Sequence, residues 1–286
     1  MSDLSARISA FGNDKEHGAS DLLALAVAIL RDALTSGVPV RPIARSLCEA
    51  QPSMAPIWTA GAQAIAAERD LHRFERFAQQ IARAPRALAR YGLTLLLPDH
   101  SASTPLRVVT ISFSRSVFHV LDALRVRCAL HVSCAEGRPA LEGRRLAETM
   151  ASLDVPVTCY SDAALANALA GADAVLVGAD AVTPNWFLNK VGTGMLAAAA
   201  AQVGVPVYVV ASRDKFVPAK IGGRLRISEG PAAEIWNSQA AQVTVRNPYF
   251  EPTPLDLASA FVTDVGVLGA ALVPDVCNAP TLPADF

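Results

Sequence analysis

With 286 residues, 52 % of them hydrophobic and 18 % charged, the chain is long and apolar enough for one large domain or two smaller ones. A formal net charge of −1 removes the electrostatic case for direct nucleic-acid binding. No apolar run reaches the roughly 20 residues of a membrane span without Gly, Pro or a charge, and the opening residues, MSDLSARISAFGNDKEHG, lack the apolar centre of a signal peptide, so the expected setting is the cytoplasm.

Segments 20–36, 40–50, 55–68 and 71–91 are rich in Ala, Leu and Arg and carry apolar residues at helical spacing. Ser20 with Asp21 can cap the first of these, and Gly37 follows its end. Residues 95–105, LLLPDHSASTP, read as a linker broken by Pro98, Asp99 and Pro105. A helical N-terminal domain over 1–98 and a second domain over 99–286 are therefore expected. Beyond the linker, strands at 106–111, 128–133 and 155–160 alternate with helices at 115–124, 141–152 and 162–169. Two β-rich runs, 174–177 and 205–210, then enclose a loop and an alanine-rich helix, which makes a βαβ unit. A strand at 242–245 and a helix at 254–261 are expected to close the domain. This alternation predicts an α/β fold: a Rossmann-like, doubly wound parallel sheet of six or seven strands after an all-helical start.

Five cysteines, Cys48, Cys128, Cys134, Cys159 and Cys277, show no CxxC or Cys/His metal spacing. They read as free thiols, and Cys128, Cys134 and Cys159 are expected to be buried in or beside strands. Neither a metal nor a cofactor is expected. No strand is followed by the G-x-G-x-x-G spacing of a dinucleotide site.

The loop of the βαβ unit gathers Asp180, Asn189, Lys190, Gly192, Thr193 and Gly194 between a strand's end and a helix's start. In an open parallel sheet that edge is where ligands bind. A carboxylate, an amide, an ammonium and a Gly-Thr-Gly turn suit a polyhydroxylated, phosphorylated small molecule. Ser114 and Arg115 lie where another strand passes into a helix, so backbone N–H groups, hydroxyl and guanidinium can converge on phosphate. Arg138 follows a further strand and offers a second bidentate donor. Gly192-Thr193-Gly194 lets the backbone approach an anion, and Lys215 follows the last strand of the unit. Desolvation at a strand end could raise the carboxyl of Asp180 into the general-acid range. Plain alternatives stand beside these readings: Arg115 and Arg138 as surface arginines, Asp180 as a turn cap, Lys190 and Lys215 as solvated ammoniums. Glu136 and Glu251 suit orienting an arginine or a loop as well as touching a ligand.

Several segments together carry a family resemblance. GADAV at 178–182 with NKVGTG at 189–194 and VPVYVVASRDKF at 205–216 resembles the signature of the initiation factor 2B alpha/beta/delta superfamily, which includes ribose-1,5-bisphosphate and methylthioribose-1-phosphate isomerases. TISFSR (110–115), AEGRP (135–139) with Gly143, VPVT (155–158) with Asp162, and NPYFEPTP (247–254) occur in the family's order. HGAS (17–20) sits where the isomerases have Arg-Gly-Ala, which brings His17 and Gly18 into the expected ligand site. The resemblance implies an Asp that handles the ring-oxygen proton, matched by Asp180, and a Cys near C2, whose position holds Ser112. A serine needs an adjacent base, and Ile111 stands where those enzymes have His. The T-x-x-x-S-R form of the first motif resembles the initiation factor 2B alpha subunits. The resemblance therefore implies an initiation-factor-2B-like protein that binds a phosphorylated sugar or nucleotide, pairs as a homodimer through its C-terminal domain, and lacks isomerase activity. The alternative is an aldose–ketose isomerase acting on a sugar 1-phosphate through Asp180.

Overall fold

Leucine and alanine at three- and four-residue spacing close the first part of the chain into helices. In the computed structural model, which describes residues 2–14, 18–68, 70–97, 104–227 and 229–279, these are α1 (Ser2–Asn13), α2 (Ala19–Thr35), α3 (Val40–Ala50), α4 (Ala55–Ala66) and α5 (Leu71–Leu96). Gly18, not Ser20, takes the cap position of α2, and no side chain caps it. Asp70 caps α5 by accepting from the Arg73 N–H at 3.2 Å, an interaction worth about 1 kcal/mol. α5 continues to Leu96 where the sequence suggested a linker, because Leu93, Leu95 and Leu96 pack against the core beneath the sheet. Pro98 lies outside the described residues.

After the helices come β1 (Leu106–Thr110), α6 (Arg115–Arg125), β2 (Leu130–Ala135), α7 (Glu142–Ala151), β3 (Val157–Tyr160) and a 3-10 segment, Asp162–Leu169. Next are β4 (Ala174–Val177), β5 (Ala181–Val182), β6 (Trp186–Lys190), α8 (Thr193–Val203) and β7 (Val207–Val210). The short α9 (Ala219–Gly222), β8 (Phe250–Pro254), β9 (Ala260–Thr263), β10 (Gly266–Leu268) and α10 (Val273–Asn278) complete the order. The main sheet has seven strands in the order β10-β9-β7-β4-β1-β2-β3, parallel except for β10. From β1 the chain runs outward through β2 and β3, then returns on the other side at β4. The order reverses between β1 and β4, and their carboxyl ends frame the crevice where such sheets take ligands.

Three local expectations give way. Residues 178–192 are not a plain loop: β5 and β6 form an antiparallel hairpin joined by β8 in a second, three-stranded sheet. Residues 242–245 alternate like a strand, but they lie outside any sheet and Val243 is exposed. Residues 254–261 hold only a 3-10 turn (Leu255–Leu257) before Ala260 enters β9, because Phe261 and Val262 are buried beside β7. The helices at the start do not close a core of their own. Their apolar faces share one cluster with Ala181, Leu188, Val217 and Ile221 from the hairpin and the region of α9. Among the described residues no helix is long and apolar enough to cross a membrane.

Candidate functional site

A cavity of ≈ 690 Å³ opens at the reversal point, between the ends of β1, β4 and β6 and the starts of α2, α6 and α7. Each strand end delivers a polar group to it: Ser112 follows β1, Asp180 follows β4, Asn189 and Lys190 end β6, and Lys215 follows β7. Ser112 adopts φ 67°, a left-handed conformation that costs a non-glycine residue about 1–3 kcal/mol and clusters at functional sites. Ser114 caps α6, its Oγ accepting from the Val117 N–H at 3.5 Å. Gly178 permits the close approach of this cap, since a Cβ there would lie 2.4 Å from Ser114 Oγ.

Asp180 is clamped through its backbone. Its N–H donates to Leu188 O (2.7 Å), and its carbonyl accepts from Ala55 N at the start of α4 (3.0 Å). The carboxyl keeps some surface on the cavity but is otherwise enclosed by protein. Burial pushes it up to about 6, against the pull of Lys215 and Lys190 and with a further push from Glu142. Such a group can hold or release a proton near neutral pH.

The cations differ in what they already hold. Lys190, 2 % exposed, donates to Glu142 Oε1 at 2.9 Å and stands 5.3 Å from the centre of the Tyr249 ring. Arg115 pairs with Asp21 of α2 at 3.0 Å on the rim. Lys215, only 3 % exposed, and Arg145 of α7 also line the cavity. Among the described residues, no carboxylate lies within ion-pair distance of either. Asp180 and Asp214 act on Lys215 from beyond that range.

Of the residues singled out from the sequence, Gly18, Ser112, Ser114, Arg115, Asp180, Asn189, Lys190 and Lys215 share this cavity. His17 lies outside the described residues. Arg138 does not line the cavity; its guanidinium donates to Glu234 O at 3.4 Å and its backbone N–H to Asp162 Oδ2 at 2.8 Å. Gly192 and Thr193 face inward to the protein's own groups. Glu251 Oε1 accepts from the N–H groups of Gly192 (3.0 Å) and Gly194 (2.7 Å), so the start of α8 already holds a carboxylate. Thr193 Oγ1 donates to Lys190 O (2.6 Å) and accepts from Asn189 Nδ2 (3.0 Å). Glu136 pairs with Arg144. Sequence reasoning missed Glu142, Arg145 and Tyr249 as cavity residues. The signal for Glu142 was its place at the first turn of a helix just after a strand, the geometry that had singled out Ser114 and Arg115. Among the described residues no group of three or more His, Cys, Asp or Glu is placed to hold a metal.

Residues 22–270 match the initiation factor 2 subunit family. The chain belongs to that family. It is 35 % identical over 143 residues to ribose 1,5-bisphosphate isomerase from Methanocaldococcus jannaschii, an alignment covering 49 % of this chain and 46 % of that protein. It is 29 % identical over 260 residues to a putative translation initiation factor eIF-2B subunit 2-like protein from Pyrococcus abyssi, covering 88 % of each. The chain thus spans about half the length of the curated isomerase relatives it matches. Translation initiation factor eIF-2B from Pyrococcus horikoshii OT3 superposes with a TM-score of 0.77 at 22 % identity, over 93 % of this chain and 96 % of that one, and so shares its fold.

Proposed function

We propose that the cavity binds a phosphorylated sugar and that the protein serves as a binding member of its family, without isomerase turnover. The observation that carries this reading is Lys215: a buried ammonium facing the cavity with no carboxylate in ion-pair range among the described residues. A buried charge is costly until it is paired, and an anionic ligand supplies the pair. The start of α6 adds Ser114, Arg115 and helical N–H groups on the same cavity, a natural cradle for phosphate. A space of ≈ 690 Å³ suits a small ligand. Asn189 and Asp180 are then placed for hydroxyl groups. Ser112 argues against turnover, since no imidazole lines the cavity among the described residues and a serine hydroxyl needs a neighbouring base.

The test is calorimetric titration with ribose 1,5-bisphosphate, ribose 5-phosphate and inorganic phosphate. Wild type should bind a sugar phosphate at one site, and Lys215→Ala should weaken it by about 1.5–3 kcal/mol. Equal affinity in the variant would remove the reading.

A second reading, an isomerase working through Asp180, is favoured by the raised carboxyl, which is tuned for general acid work. An NMR assay decides between them: turnover in wild type that Asp180→Asn abolishes would promote the enzyme. We further take the chain to pair with a second copy through its C-terminal part. Light scattering at micromolar concentration should then give twice the chain mass, and a monomer alone would count against it.

A further inference from the structure

Cys134 and Cys159 are register partners on the adjacent parallel strands β2 and β3. Side chains at paired positions of neighbouring strands stand on the same face. Neighbouring strands are about 4.8 Å apart, inside the Cα span of about 4.4–6.8 Å that a disulfide takes. The pair is unequal. Cys159 is exposed on the edge strand, contrary to the buried position expected from sequence, whereas Cys134 is fully buried and both are free thiols. Burial pushes the Cys134 thiol up to about 12, so Cys159 is the one an oxidant meets first. Arg144 stands close enough to Cys159 to sense its charge.

We propose that Cys134 and Cys159 are a redox modification site: a peroxide converts them to a reversible disulfide that loosens the first turn of α7. The exposed Cys159 thiolate attacks a peroxide oxygen; the S–O bond forms, the O–O bond breaks, and the departing hydroxide takes a proton to leave as water. Cys134 gives up its proton and attacks the Cys159 sulfur; the S–S bond forms, the S–O bond breaks, and the second oxygen leaves as water. Two thiol hydrogens and two electrons pass to the peroxide, and an external dithiol reverses the change.

The consequence for the cavity comes from the bond that Cys134 holds in the reduced protein. Its Sγ donates to Gly143 O at 3.6 Å. Gly143 itself rests on the end of β2, where a Cβ would fall 1.7 Å from Ala135 O. The first turn of α7 is therefore hung from the Cys134 strand, and that turn carries Glu142, which holds Lys190, and Arg145. Turning Cys134 Sγ toward Cys159 removes its bond to Gly143.

Treatment of the whole protein with hydrogen peroxide, quenched and mapped by non-reducing mass spectrometry, tests this without any ligand. The expected result is one cross-linked pair of peptides containing Cys134 and Cys159, two hydrogens lighter, restored by dithiothreitol and absent in Cys159→Ser. Hydrogen exchange over 142–151 should quicken several-fold in the oxidised wild type only. Sulfenic or sulfinic acid at Cys159 with no cross-link, or cross-links only between chains, would overturn the proposal. Cys159 is exposed, so its serine variant is expected to fold; the wild-type map decides the matter even if it does not.

Discussion

Two helix starts in this fold, capped differently by Gly192 and Ser114, each point N–H groups outward, and they stand in opposite states. The start of α8 is filled: Glu251 takes the N–H groups of Gly192 and Gly194. The start of α6 opens on the cavity, with only the weak Ser114 cap and an arginine held aside by Asp21. A helix N-terminus attracts negative charge wherever it lies, so its presence alone does not mark a ligand site. Whether the protein supplies its own carboxylate decides the matter. The lysines divide in the same way. Lys190 is spent on Glu142, whereas Lys215 is buried without such a partner among the described residues.

That contrast is broken most severely at Lys190. Lys190→Ala leaves Glu142 partly buried with no counter-charge, and Glu142 Oε2 already has no hydrogen-bond partner. The expected loss of stability is about 3–5 kcal/mol by chemical denaturation. An effect below about 1 kcal/mol would mean the pair is screened by water. Glu251→Ala should come next, at about 1–3 kcal/mol, because two buried-side N–H groups lose their acceptor. Phosphate added to that variant should recover part of the loss by occupying the start of α8, a rescue the filled wild-type site cannot show.

Asp180 gives the next effect, with the opposite sign. Its carboxyl sits at about 6 in the folded protein against an ordinary value of 3.8, so the native state binds the proton more tightly than the unfolded chain. Stability should therefore fall as pH rises from about 4 to 6 and stay lower above that. Asp180→Asn should flatten this window and gain on the order of 1–3 kcal/mol at about pH 7.5. Denaturation midpoints of both proteins between about pH 4 and 8 would check it; parallel curves would contradict the assignment. Smallest is the rim pair. Arg115→Ala should cost under about 1 kcal/mol of stability because the pair is largely exposed, while phosphate affinity falls by about tenfold or more.

Much of this was legible in the sequence, and the pattern of success is physical. Alternating apolar runs located five of the parallel strands, β1, β2, β3, β4 and β7, though not β9, since buried strands such as β4 and β7 have no polar face to confuse the reading. Strand ends then located Ser112, Asp180 and Lys215, because residues there must open on one edge. What sequence could not carry was the partner of each charge. Gly192-Thr193-Gly194 looks the same whether its amides meet a ligand or Glu251, which arrives from 57 residues away or more. The β5–β6 hairpin hid because β5 has two residues and pairs with a strand that the far β8 completes. Ala260 and Phe261 end the segment expected to be a helix, and burial beside β7 overrode its local preference.

The claim of a ligand site rests most heavily on Lys215. Titration of wild type, Lys215→Ala and Lys190→Ala with ribose 1,5-bisphosphate, each first shown to be folded by circular dichroism, separates a ligand cation from a structural one. Lys215→Ala is expected to keep its fold and lose affinity by about 1.5–3 kcal/mol, while Lys190→Ala loses stability first. Undiminished binding by a folded Lys215→Ala protein would contradict the claim.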